Sequence, residues 1–220
     1  MTFAAPKNLC TEYGEMKRSE TMTAGRVITL QCHIRGIVPC IMANGAMADP
    51  TYQWAKTVRE LRKGVKRGEV MTEQQANDYY QALFTGQLYL LDGDSTPYWP
   101  SENVEGMIRR GAKKSKKGEV AKIALTVDDN FPLIYDGPKT ADGLWKDPRF
   151  PFKSRIGSKS GTTINCRCRF PQWEFKFSVL FDCGQADVSD LRRWIEDAGS
   201  YIGLSAWTPK YGRFELVSLE

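Results

Sequence analysis

The side chains able to carry out chemistry are few and scattered along the 220 residues. The one histidine, His33, lies mid-way through an alternating apolar stretch. An imidazole there has the right chemistry for a general acid or base, yet no nucleophile motif stands near it. Asp128, Asp129 and Asp136 fall close to predicted strand ends, and Glu174-x-Lys176 matches the E-x-K half of a metal-nuclease motif. In such a motif carboxylates hold the cation and the lysine stabilises the attacking hydroxide. The spacing to the other carboxylates is not that of the full motif, so Glu174 and Lys176 read first as the polar face of a strand. The six cysteines (Cys10, Cys32, Cys40, Cys166, Cys168 and Cys183) contain no CxxC pair, and Cys166-x-Cys168 has no second pair at metal-ligand spacing. They read as buried thiols rather than a zinc site or a disulfide framework. No catalytic residue, metal or cofactor is assigned on these grounds.

Three other constellations suit a polyanion. Arg109, Arg110, Lys113, Lys114, Lys116 and Lys117 place six cations within nine residues at a predicted helix end. One or two cations would satisfy the helix dipole, whereas six repel one another unless phosphates approach and release counterions. The stretch Thr163, Asn165, Arg167 and Arg169 lines one face of a predicted strand with polar side chains, and Ile164, Cys166, Cys168 and Phe170 line the other. Such a comb can track a phosphate backbone; the plain alternative is the solvated face of a hairpin. Between Ala198 and Phe214, Gly199, Gly203 and Gly212 allow close backbone approach, Trp207 and Tyr211 offer stacking faces, and Lys210 and Arg213 offer charge. The plain alternative there is a helix stop followed by core aromatics.

These segments need elements to hold them. Gly25 to Arg35 alternates as a strand with Ile28, Leu30, Cys32 and Ile34 on one side. The stretch 48–86 reads as an inserted helical hairpin, interrupted at Gly64 and Gly68 and restarted at Thr72. Gln87 to Leu91 is a short strand before the turn Asp92-Gly93-Asp94-Ser95. Ser101 is expected to cap a helix over 102–112 that buries Val104, Met107, Ile108 and Ala112. Glu119 to Val127 is expected as a strand with Ala121, Ile123, Leu125 and Val127 on one face, and 136–161 as a long loop. Thr162–Phe170 and Trp173–Phe181 alternate on either side of Pro171, as a hairpin or as one bent strand. Asp187 is expected to cap a helix over 189–202, and a last strand runs over 213–219. The order strand, helix, strand, strand, helix, strand is that of a ferredoxin-like (RRM-like) α+β core, here a single domain over 1–220.

Ala198-Gly199-x-x-x-Gly203, followed by Gly212-Arg213-Phe214 and a terminal strand, resembles the glycine-rich loop of the RAMP superfamily. These are the RRM-like proteins that form RNA-binding backbone and guide-processing subunits of CRISPR effectors. The resemblance covers barely a tenth of the chain. It implies RNA binding, assembly as repeated subunits along a strand or within a ribonucleoprotein, and, in metal-free processing members, a histidine as the acid or base. Ile37–Pro39, Ala48-Asp49-Pro50, Leu133–Pro138 and Arg169-Phe170-Pro171-x-Trp173 also look like a group of uncharacterised bacteriophage proteins. That resemblance implies a phage origin and a part in nucleic-acid handling or host defence.

Composition frames these expectations. With 41% apolar and 26% charged residues the chain has the balance of a globular protein. A net charge of +5, from 31 basic against 26 acidic residues, decides little by itself, so clustering matters more than total. No apolar run reaches membrane-spanning length, and Met1 to Cys10 lacks a signal-peptide layout, so a cytoplasmic protein is expected, in the bacterial host if phage-encoded. The expected function is non-catalytic binding of RNA or single-stranded DNA. The alternatives are a phage protein that docks on a host defence complex through exposed Trp99, Trp145 and Phe150, and a metal-dependent nuclease.

Overall fold

The computed structural model describes residues 26–65, 69–91, 95–158 and 161–220. Cys10, Gly68, the turn residues 92–94 and the side chains of 156–163, Thr163 among them, lie outside the described set. The protein is mixed α+β with antiparallel sheets.

The first sheet is built on β1 (Val27–Gly36), whose Leu30, Cys32 and Ile34 are buried while Gln31 and Arg35 are exposed. That period of two is what a strand covered on one face requires. β1 lies between β9 (Glu174–Asp182) and β10 (Phe214–Leu219), antiparallel to both. On the far side of β9 run β5 (Leu125–Thr126) and β6 (Phe131–Ile134), then β4 (Ser95–Trp99) and β3 (Leu90–Leu91). β5 and β6 pair with opposite ends of β9, so together they act as one interrupted strand. The covered face carries Phe175, Phe177, Val179 and Phe181 from β9 beneath two helices, α3 (Ser101–Ala112) and α6 (Val188–Asp197). The two helices meet at Gly111, where a Cβ would stand 2.1 Å from the Trp194 carbonyl oxygen.

A second sheet joins β2 (Cys40–Ile41), β8 (Gly161–Phe170) and β7 (Pro151–Ser158), in the order β2-β8-β7. Two helices, α1 (Gln53–Lys63) and α2 (Glu73–Gly86), pack against each other, and α2 lies on β8. Thr72 and Gln75 start α2 with a reciprocal capping box. The short α5 (Ala141–Lys146) completes this side, with Trp145 against Phe84 at 5.4 Å between ring centroids. β8 pairs only within the second sheet and β9 only within the first. Pro171 and Gln172 therefore form the bend at which the chain changes sheet, which is the bent-strand reading rather than the hairpin. Among the described residues, no helix is long and apolar enough to cross a membrane.

Four expectations are corrected. Residues 118–124 form a helix, α4 (Gly118–Ala124), and only Leu125–Thr126 is strand. Ala121, Ala124 and Leu125 are buried at helical spacing, while Ile123, expected inside, is 65% exposed. Glu, Lys and Ala favour a helix over any pleated alternation. Residues 136–161 are not one loop, for they hold α5, whose first turn Thr140 caps, and β7, the partner of β8. Pro100 rather than Ser101 stands at the cap of α3, and the Ser101 amide donates to the Asn130 side chain. Trp99 and Phe150, expected as exposed contact residues, are 2% and 1% exposed, and Trp145 packs on the core.

Candidate nucleic-acid interface

The loop between Gly203 and Gly212 is pinned along the free edge of β2. The Leu204 amide donates to the Gly212 carbonyl at 2.8 Å, Gly212 to Pro39 at 2.9 Å and Ala206 to Ile41 at 2.9 Å. The Ser205 hydroxyl accepts from the Ile41 amide at 2.7 Å. Gly203 and Gly212 have φ of +84° and +75°, and a Cβ on Gly212 would lie 2.5 Å from the Leu204 carbonyl oxygen. Only glycine serves the two ends of this loop without strain.

One flank of the loop packs on the β7–β8 hairpin. Phe152 and Arg167 pair across the hairpin, as do Ser154 and Asn165, so both pairs share a face with Arg169. The Phe152 ring lies 6.4 Å from Trp207 and 5.9 Å from Tyr211, and Trp207 lies 6.3 Å from Tyr211. The Arg167 guanidinium sits 5.4 Å from the Trp207 ring centroid, Arg169 sits 5.2 Å from Phe152, and Lys210 sits 5.6 Å from Tyr211. Among the described residues, Arg167 and Arg169 make no ion pair, and their Nε groups are buried without a hydrogen-bond partner. The same holds for Ser154 Oγ and Asn165 Oδ1 beside them. Burial pushes the Arg167 guanidinium below its ordinary pKa. Unsatisfied polar groups, two of them guanidinium donors, thus lie beside a cluster of aromatic rings.

The other flank opens into a cleft of ≈ 570 Å³ between α3, α4 and residues 204–206. Arg109, Arg110, Lys113 and Lys122 line it, with Glu102 and Glu119 among them. The six-cation cluster does not present a single tract. Arg109 bonds Glu105 at 2.6 Å, and Lys114 lies 4.6 Å from the Tyr201 ring centroid. Lys116 takes a left-handed conformation (φ 61°), and Lys117 starts α4. Arg213, at the end of the loop, anchors it by its backbone: its carbonyl accepts from the Ile37 and Val38 amides, and its Nε has no partner.

The open face of the first sheet is a different surface. Glu174 accepts from Arg35 at 2.9 Å and stands 2.7 Å from His33 Nε2, while Gln31 bonds Ser178. The Arg35 hydrogen bond, then that of His33, holds the Glu174 carboxyl below its usual range. The E-x-K glutamate is thus engaged by two basic side chains, and Asp128 and Asp129 are exposed. Among the described residues no three His, Cys, Asp or Glu side chains are grouped as a metal would need.

Three members of the interface were missed from sequence. Phe152 and Ser154 fell in the supposed loop, although the alternation of Pro151–Ser158 next to a strand was a hairpin signal. Lys122 is expected on a strand, whereas it lines the cleft from α4. Compared with known proteins, the chain matches no family model and no curated sequence, so its own geometry must say what this surface can hold.

Proposed function

We propose that the chain binds RNA or single-stranded DNA without chemistry of its own, on a ferredoxin-like frame, with the loop at 203–213 as the centre of the contact. The observation that carries this is the pair Arg167 and Arg169: two guanidiniums without acidic partners among the described residues, laid on Trp207 and Phe152, with their buried Nε groups unsatisfied. Arginine stacked on an aromatic ring is suited to a nucleotide, because the cation meets phosphate while neighbouring rings accept bases.

The strand order supports the frame. β10, β1, β9 and the β5–β6 strand lie side by side, all neighbours antiparallel, with α3 and α6 in the two crossovers. That is the fourth, first, third and second strands of a ferredoxin-like sheet. RRM domains stack bases on aromatics of the open sheet face. Here β1 and β9 offer Gln31, His33, Arg35, Glu174, Lys176 and Ser178 on that face, and no Phe, Tyr or Trp. The contact therefore shifts to the sheet end, where the second sheet and the glycine-rich loop meet. From there the cations of α3 extend it across the loop, and repeated subunits along one strand, as in the RAMP proteins, fit this layout.

Fluorescence anisotropy with labelled RNA and DNA oligonucleotides over a salt series tests the reading. Affinity should fall with salt at a log–log slope of about −0.7 per phosphate contacted. Absence of binding at low salt would overturn this reading.

A further inference from the structure

We propose that the cleft between α3, α4 and residues 204–206 is a discrete site for one phosphorylated nucleotide, distinct from the stacking face on β7–β8. The inference deepens the strand-binding reading, yet the site can be assayed without a strand.

The cleft's volume of ≈ 570 Å³ lies within the range of about 300–1,000 Å³ typical of small-ligand pockets. Its lining changes character along α3. Trp99, Glu102 and Asn103 stand at the start of the helix and Arg110 and Lys113 at its end, beside Arg109, which Glu105 engages, with Lys122 and Glu119 of α4 also on the wall. Eleven residues of helix separate Glu102 from Lys113, about 16 Å at 1.5 Å per residue, which exceeds the length of a mononucleotide. The cationic end suits the phosphate. Arg110 commits its Nε to the Gly106 carbonyl at 3.1 Å, which steadies the side chain and leaves its two Nη groups to donate. The Lys113 stem lies over Gly118, where a Cβ would meet its Cγ at 2.6 Å.

The other end suits a base or sugar. Trp99 is 2% exposed, lines the cleft, and its indole Nε1–H is buried with no acceptor among the described residues. A buried indole N–H without a partner is rare in native structures, and the ring itself supplies an apolar wall at this end of the cleft. Glu102 and Asn103 supply acceptors for hydroxyl or amine groups, which inorganic phosphate alone would leave unused. Mid-way, Gly106 lines the cleft, and a Cβ there would meet no atom within 4 Å. A glycine in the middle of a helix is destabilising relative to alanine. Here the missing side chain leaves the cleft open.

Calorimetry of the full chain with nucleoside 5′-monophosphates, the matching nucleosides and inorganic phosphate tests the site. Monophosphates should bind, with nucleosides and phosphate each about tenfold weaker or worse, since each lacks one half of the contacts. Gly106→Leu fills the cleft at a position with free space and should abolish monophosphate binding while circular dichroism and the unfolding transition stay native. Lys113→Ala should weaken it about tenfold. Monophosphate binding that survives Gly106→Leu, or no binding by the native chain at millimolar ligand, overturns the proposal. Arg167→Met serves as the control for the strand-binding face. It should weaken oligonucleotide binding and leave monophosphate affinity unchanged, so the two readings fail separately. A 5′-phosphorylated oligonucleotide that displaces the monophosphate, where its unphosphorylated twin does not, assigns the site to a strand end; equal failure of both assigns it to free nucleotide.

Discussion

Replacing Arg167 with methionine separates a binding role from a structural one, because the two predict opposite signs for stability. The guanidinium is half-buried, 5.4 Å from the Trp207 ring centroid, and its Nε donates to nothing among the described residues. Leaving such a buried donor unmade costs about 1–3 kcal/mol. The cation–π contact returns about 0.5–1 kcal/mol. Methionine keeps most of the apolar stem and can place its sulfur against the same ring. The free protein should therefore be as stable as the native one or up to about 2 kcal/mol more stable, read as the midpoint of urea unfolding. Strand binding should move the other way. One lost phosphate contact lowers the salt slope by about 0.7, which is about eightfold in affinity at roughly 50 mM salt before any loss of stacking. Anisotropy with a labelled oligonucleotide measures this on the same preparations. A loss of stability above about 1 kcal/mol together with unchanged binding would refute the reasoning, since it would make Arg167 a packing residue.

Three further outcomes follow from the geometry. Gly212→Ala forces a side chain into φ +75° and against the Leu204 carbonyl, so it should destabilise by about 2 kcal/mol or more in urea unfolding; a change under about 0.5 kcal/mol would mean the loop is loosely held. Because Glu174 titrates below its ordinary value of 4.5 when folded, its contribution is present above that pH and is lost as pH falls through the lower folded value. Glu174→Gln should flatten the acid side of the stability profile below about pH 4.5, and an unaltered profile would show that Arg35 and His33 contribute nothing there. Burial raises the thiol pKa of Cys32, Cys40 and Cys168, and that of Cys166 to about 11, so these four should resist alkylation at pH 8 in the folded protein; rapid modification of Cys40 or Cys168 would contradict their placement in the core.

The strands that proved easiest to read, β1, β8 and β9, carry a period of two that burial on one face imposes, and α3 and α6 carry an equally plain apolar stripe. Glu119–Val127 misled because Ala, Ile, Leu and Val at alternate positions fit a strand as well as a helix, and only the packing of Ala121 and Ala124 decides. The hairpin partner β7 was hidden by Gly, Pro and Lys around it, which read as loop composition. At the site, residue types were legible and pairing was not. The comb at Arg167 and Arg169 and the aromatics Trp207 and Tyr211 meet through Phe152, a long-range contact that no local pattern encodes. The cationic run at 109–117 looked like one patch, but a helix end divides it: Glu105 takes Arg109, Tyr201 takes Lys114, and the turn carries Lys116 away.

The central claim is that a nucleic-acid strand lies on the glycine-rich loop and the β7–β8 hairpin, and photo-crosslinking tests it most directly. A uridine-rich oligonucleotide irradiated with the protein, followed by mass spectrometry of the digested complex, reports which side chains touch bases. The account predicts crosslinks at Trp207, Tyr211 and Phe152. Crosslinks confined to peptides of the open sheet face, around His33 and Lys176, would contradict it.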